Sequence, residues 1–177
     1  MEATNLGARL ADHPATTLDH VLHEISAVPT FHPDVTSWAS VAIESVQDLG
    51  DSRRSLGIPT WHYGHEPPNP FSSAVAKYFR NAIREDVLLE VCRDGIVFLP
   101  GAAGTVQEIF QAACTNYYAT DAEVATMVFV GREYWTDTLP AWPLVSTLAD
   151  GRPFSGRVHL VDDTREAHAL LADDGRR

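Results

Sequence analysis

The run GIVFLP (95–100) stops at a proline, passes through a loop of small residues, GAAGT (101–105), and continues as VQEIF (106–110). A short continuous apolar segment ended by proline reads as a strand buried on both faces. The residues after it space their apolar side chains as a helix does, over 104–118. The same alternation recurs downstream. ATMVFVG (125–131) reads as a strand, followed by a helical turn near Trp135 and a helix over 141–149. RVHLVD (157–162) reads as another strand, with a helix over 163–172 that Asp163 or Thr164 caps. Strands alternating with helices specify an α/β fold with a doubly wound parallel sheet.

Upstream, helical spacing covers 2–11 and 17–28, with Leu6, Leu10, Leu18, Val21, Leu22 and Ile25 on the apolar faces. Asp34 is placed to N-cap a helix over 35–49. GDSRRS (50–55) is a polar loop, and LGIPTWHY (56–63) reads as a short strand whose proline marks an edge or an end. GHEPPNP (64–70) is a loop on its prolines alone. Residues 71–92 carry one broad apolar stripe, from Val75 through Tyr78, Phe79, Ala82, Ile83, Val87 and Leu88 to Val91, and read as a long helix. The organisation expected is a helical segment 1–55, an α/β region 56–173 and a disordered tail 174–177.

At 177 residues the chain is long enough for a globular core. Its formal net charge is −11, with 13 basic residues and no basic run, which argues against binding nucleic acid. No apolar stretch has membrane-spanning length, and the first residues lack the features of a signal peptide. Cys92 and Cys114 sit in apolar helical segments, which fits a reducing cytoplasm. The eight histidines are scattered and no metal-ligand spacing occurs, so neither a metal nor a cofactor is expected.

In a parallel α/β sheet, ligands bind beyond the carboxyl ends of the strands. The loop PGAAGT lies at such an end. Gly101 and Gly104 open backbone angles closed to other residues, and Ala102 and Ala103 leave room for an anion near the peptide N–H groups. The N-terminus of the following helix attracts phosphate, the Thr105 hydroxyl can add a bond, and Glu108 lies one turn on. The same spacing also fits a capping box, with Thr105 as N-cap and Glu108 as its partner. No lysine follows the glycines, so this is not a P-loop. Trp61, Tyr63, Glu66 and Asn69 are further candidates for ligand contact; Tyr117, Tyr118, Trp135 and Trp142 read as packing residues first.

PGAAGTVQE (100–108) resembles the PGGxGTxxE motif of the LOG (Lonely Guy) family of nucleoside 5′-monophosphate phosphoribohydrolases. EPPNP (66–70) and AKYFRNAIREDVLLEV (76–91) are similar to segments of related nucleotide nucleosidases, and GREYW (131–135) resembles a subgroup whose loop reads PGSAGT. Ala102 stands where the motif has its second glycine. The resemblance implies a Rossmann-like fold in which residues Gly101, Ala102, Ala103, Gly104 and Thr105 bind the 5′-phosphate of an AMP-like nucleotide. It implies that Glu108 acts on the N-glycosidic bond and that an arginine on the preceding helix assists. Arg84 is nearest that place, one residue out of register. A non-catalytic carrier of nucleotide or molybdenum cofactor, or an inactive relative, is the alternative reading.

The opening MEATNLGARLAD is similar to the middle of a GGGPGAMEAANLGA-like segment of longer relatives. The resemblance thus implies an N-terminally truncated sheet, lacking two strands between 56–63 and 95–100. Residues 95–162 are then expected to hold together best, with 1–55 loosely attached. Family members pair through helices near the motif, so a homodimer is expected. Light scattering at tens of micromolar should give twice the chain mass; a monomer alone would reject the pairing.

Overall fold

The structure, a computed structural model, describes residues 2–27, 34–50, 53–62 and 68–174. It is an α/β protein whose strands form two small parallel sheets. The chain divides into two compact units, 1–84 and 85–177.

The first unit opens with α1 (Glu2–Leu10), α2 (Ala15–Ser26) and α3 (Val35–Glu44). Asp34 caps α3 as its sequence position predicts, accepting from the N–H groups of Thr36 at 3.1 Å and Ser37 at 3.0 Å. The expected stretch to 49 ends early, in turns after Ser45. The apolar faces of these helices bury Leu6, Leu10, Val21, Ala42 and Val46 around Phe71. Segment 1–55 shares a core with the residues after it, and Arg9 Nε donates to the Phe71 carbonyl at 3.3 Å while Asn5 Nδ2 donates to Ser72 Oγ at 2.8 Å.

The long helix expected over 71–92 is half wrong. Its first part is extended: β2 (Ala74–Val75) pairs in parallel with β1 (Leu56–Gly57), and Thr60 bridges to Tyr78. The N–H groups of Ala74, Ala76 and Tyr78 donate to the carbonyls of Ser55, Gly57 and Pro59. Those donors cannot also serve a helix. The helical stripe was real only from Asn81, where α4 (Asn81–Val91) begins.

The second unit holds β3 (Gly95–Phe98), β4 (Thr126–Val130) and β5 (Val158–Val161), all parallel, in the order β3-β4-β5. The strand buried on both faces is β4, every residue of which is buried; β3 is an edge strand with Val97 39% exposed, contrary to expectation. Alternation along β4 separates two cores. Met127 and Phe129 join Ile109, Ala112 and Ala113 of α5 (Ala103–Tyr118) and Val145 of α6 (Ala141–Ala149). Val128 and Val130 join Ala167 of α7 (Thr164–Asp174). Helices thus cover both faces of this sheet. The Phe129 ring meets Trp135 and Trp142 edge-on, each at 5.7 Å, which confirms both tryptophans as packing residues.

Two local devices shape the connections. The turn near Trp135 is a π-helical one, Tyr134–Thr138, with Leu139 N–H donating to the Tyr134 carbonyl at 2.8 Å. The buried Asn116 amide bonds both backbone groups of Ala125, donating to its carbonyl at 2.8 Å and accepting from its N–H at 3.0 Å. That amide completes pairing just before β4 begins. Among the described residues no helix is long and apolar enough to cross a membrane.

Asn116→Ala leaves two backbone groups of Ala125 without their partner, at a cost of about 1–3 kcal/mol. Thermal unfolding of the variant should fall by several degrees for a chain of this size. An unchanged midpoint would show that water replaces the amide freely.

Candidate functional site

Because β3, β4 and β5 are parallel, the loops leaving their carboxyl ends share one rim of the second unit. Three segments meet there: 100–105, 131–134 and 162–165. Gly131 N–H donates to the Val161 carbonyl at 2.8 Å. Its φ of +100° lies where L side chains are strained, so the turn after β4 needs a glycine. Arg132 N–H donates to Asp162 Oδ1 at 2.7 Å, and Arg132 Nη2 donates to the Leu160 carbonyl at 2.8 Å. The ion pair of the same two side chains, 3.5 Å apart and more than half exposed, adds little stability. Asp163 accepts from Arg165 N–H at 2.7 Å and so starts α7, as expected from its position.

The loop after β3 runs into α5 at Ala103, three residues earlier than a capping box with Thr105 as N-cap requires. Ala102 is the N-cap and has no side chain that can accept, while Val106 N–H donates to its carbonyl at 3.0 Å. Thr105 is thus inside the first turn and Glu108 inside the second. The capping-box alternative is excluded. What remains is a helix end whose first N–H groups, at 103–105, are not capped by a side chain of the N-cap residue. Such an end carries partial positive charge and free donors, which suit an anion.

The two loop glycines serve different purposes from the one expected. Neither has a positive φ, so neither is needed for a backbone angle closed to other residues. At Gly101 the constraint is crowding: a Cβ there would lie 2.2 Å from Thr105 Oγ1 and 2.9 Å from Thr105 Cβ. At Gly104 a Cβ would meet nothing within 4 Å, so this position faces open space. Ala102 and Ala103 are exposed. The Gly101 carbonyl accepts from Tyr134 Oη at 2.7 Å, which fastens the loop to the turn after β4. Sequence reasoning did not single out Tyr134 as a loop anchor; its place in GREYW, just past a strand end, was the available signal.

Glu108 stands three residues after Thr105 and four after Gly104, on the side of α5 above the loop. It is half-buried. The loop and Glu108 therefore belong to one unit and one helix end. Arg84 is the last residue of the other unit. It is not a surface residue: it is 6% exposed, and its Nε and Nη2 donate to Asn81 Oδ1 at 3.2 and 2.7 Å. The residue of α4 that holds the loop's helix is its neighbour. Glu85, fully buried, accepts from Gln107 Nε2, and Asp86 accepts from Gln111 Nε2 one turn further along α5.

The weaker candidates scatter. Trp61 is half-exposed with the Lys77 ammonium 3.7 Å from its ring centroid. Asn69 Oδ1 accepts from Phe71 N–H at 3.0 Å, and its Nδ2 is buried without a partner among the described residues. Tyr63 and Glu66 lie outside the described residues. Tyr117 packs beside Val124, Ala149 and Phe154 under the Arg152 guanidinium, whereas Tyr118 is 81% exposed and is no core residue. Both cysteines are free, and burial with the nearby Asp94 charge pushes the Cys92 thiol above its usual range. No group of three or more potential ligands for a metal occurs among the described residues. Cavities of about 520 and 570 Å³ lie away from the 101–105 loop, one along α4 and the end of α5, the other beside β5.

No protein-family model matches the chain, and no curated protein matches it at a significant level.

The different roles of the two glycines can be tested without any ligand. Gly101→Ala forces the first turn of α5 apart at Thr105 and should lower the melting temperature. Gly104→Ala fills open space on a helix and should leave stability unchanged or raise it by up to about 1 kcal/mol, with no fall in the melting temperature. The opposite order would show that the loop is arranged differently.

Proposed function

We propose that this chain is a LOG-like phosphoribohydrolase with a Rossmann-like nucleotide-binding region, hydrolysing AMP-like nucleoside 5′-monophosphates to base and ribose 5-phosphate. The observation that carries this reading is the N-terminal end of α5: no side chain of its N-cap residue caps it, it is open at Gly104, and Glu108 lies one turn along from the loop. The resemblance of 100–108 to the family motif gives that geometry its substrate.

In this reading the 5′-phosphate sits against the N–H groups at 103–105, with the Thr105 hydroxyl as a further donor. The attraction is local. A chain of net charge −11 has no general affinity for a dianion, so the helix end must supply it. Glu108 then faces the ribose. As the C1′–N bond breaks, positive charge grows on C1′ and the ring oxygen, and a carboxylate stabilises it. Glu108 can equally take a proton from the water that attacks C1′, and the departing base nitrogen takes up a proton from solvent, so that water's oxygen ends on C1′ and one proton on the base. Water supplies the new C1′–O bond, and this chemistry needs no metal or redox cofactor. In this reading the chain acts as a cytoplasmic homodimer.

The test is to incubate the chain with AMP and measure released ribose 5-phosphate. Glu108→Gln keeps the shape of the side chain without its charge or basicity. It should preserve AMP-dependent thermal stabilisation and lower kcat by about 10²-fold or more. Turnover at the parent rate in that variant would remove Glu108 from the chemistry. Stabilisation by AMP with no turnover in the parent would instead identify a nucleotide-binding protein.

A further inference from the structure

We propose that Glu85 and Gln107 form a positioning pair that sets the orientation of Glu108 over the 101–105 loop; the inference rests on the hydrolase reading above. Glu85 is 0% exposed, yet no step of the chemistry uses it. Burying a carboxylate strips it of hydration, and an apolar residue of the same size would fill the space without that loss. A carboxylate kept there has a polar task. Glu85 accepts from Gln107 Nε2, and Gln107 is the residue immediately before Glu108.

The need for such a hold follows from the way α5 begins. Its N-cap is an alanine, so no cap side chain sets the rotation of the first turns. Tyr134 Oη fixes the Gly101 carbonyl, before the helix. The Ile109, Ala112 and Ala113 face fixes the helix after Glu108. Between these points the Glu85–Gln107 hydrogen bond restrains the turn that carries Glu108. A neighbouring contact gives an internal control: Gln111 Nε2 donates to Asp86, also joining α4 to α5, but Asp86 is exposed and the bond lies a turn away from Glu108. If any tie between these helices sufficed, the two would matter alike.

The experiment measures kcat and KM for AMP, with melting temperatures, in the parent chain and in Gln107→Leu, Glu85→Leu, Glu85→Gln and Asp86→Ala. Gln107 is exposed, so Gln107→Leu tests the pair even where Glu85→Leu fails to fold. Misplacing a catalytic group costs about 10- to 100-fold in rate. Gln107→Leu and Glu85→Leu should lose that much kcat with KM within about threefold. Glu85→Gln retains an acceptor and should recover most of kcat, and Asp86→Ala should match the parent. A kcat within threefold of the parent in Gln107→Leu, or an equal loss in Asp86→Ala, overturns the positioning role while leaving the hydrolase reading intact. A parent chain that releases no ribose 5-phosphate overturns both.

Discussion

Complete burial of β4 is the constraint on which the second unit depends. Its five residues have no exposed side, so each must meet a partner from a different element. Phe129 is enclosed by Phe98, Trp135 and Trp142, and Val128 and Val130 by the α7 side. Close packing of this kind makes the strand ends as rigid as the core beneath them. The loops at the carboxyl ends inherit that rigidity through few bonds: Gly131 to Val161, Arg132 to Asp162 and Leu160, and Tyr134 to Gly101. The rim that could receive an anion is thus supported by the apolar side chains packed on both faces of β4.

The helix end on that rim carries a contradiction that is informative. A protein selected only for stability would cap α5 with a side chain, because an N-cap serine or aspartate stabilises a helix by roughly 1 kcal/mol relative to alanine. Here an alanine occupies the N-cap, and the next position but one is a glycine in open space. Both choices reduce the intrinsic stability of the helix start. Both also clear the approach to its N–H groups. The proposed phosphate would supply the acceptor that the sequence withholds, so that ligand and helix start stabilise each other.

Within the second unit most elements were legible in the sequence. The helix at 141–149 matches its expected bounds, and the strands near 126–130 and 158–161 and the Asp163 cap fall within a residue or two. These segments have one strong local signal each, a β-branched run or a capping side chain, and nothing competes with it. Residues 71–80 show the opposite case. Val75, Tyr78 and Phe79 satisfy a helical period, but the same residue types suit an extended chain, and the carbonyls of 55–59 claimed their N–H groups. Periodicity describes which side chains share a face; it does not count the backbone partners available from elsewhere. For the site, the loop and Glu108 could be read from the motif, whereas Glu85, Tyr134 and Asn116 could not. Each acts through a partner 9 to 33 residues away in the sequence.

By itself the sequence determined the α/β alternation and the position of the small-residue loop at a strand end, because each depends on local composition and spacing. Only the tertiary structure decided which strand is central, where α5 begins, and why Gly101 must be glycine. Those outcomes depend on contacts between elements. A strand is interior only when both neighbours arrive, a helix start is uncapped only once its first hydrogen bond is known, and a glycine is obligatory at 101 because Thr105, one turn on, occupies the space a Cβ would need.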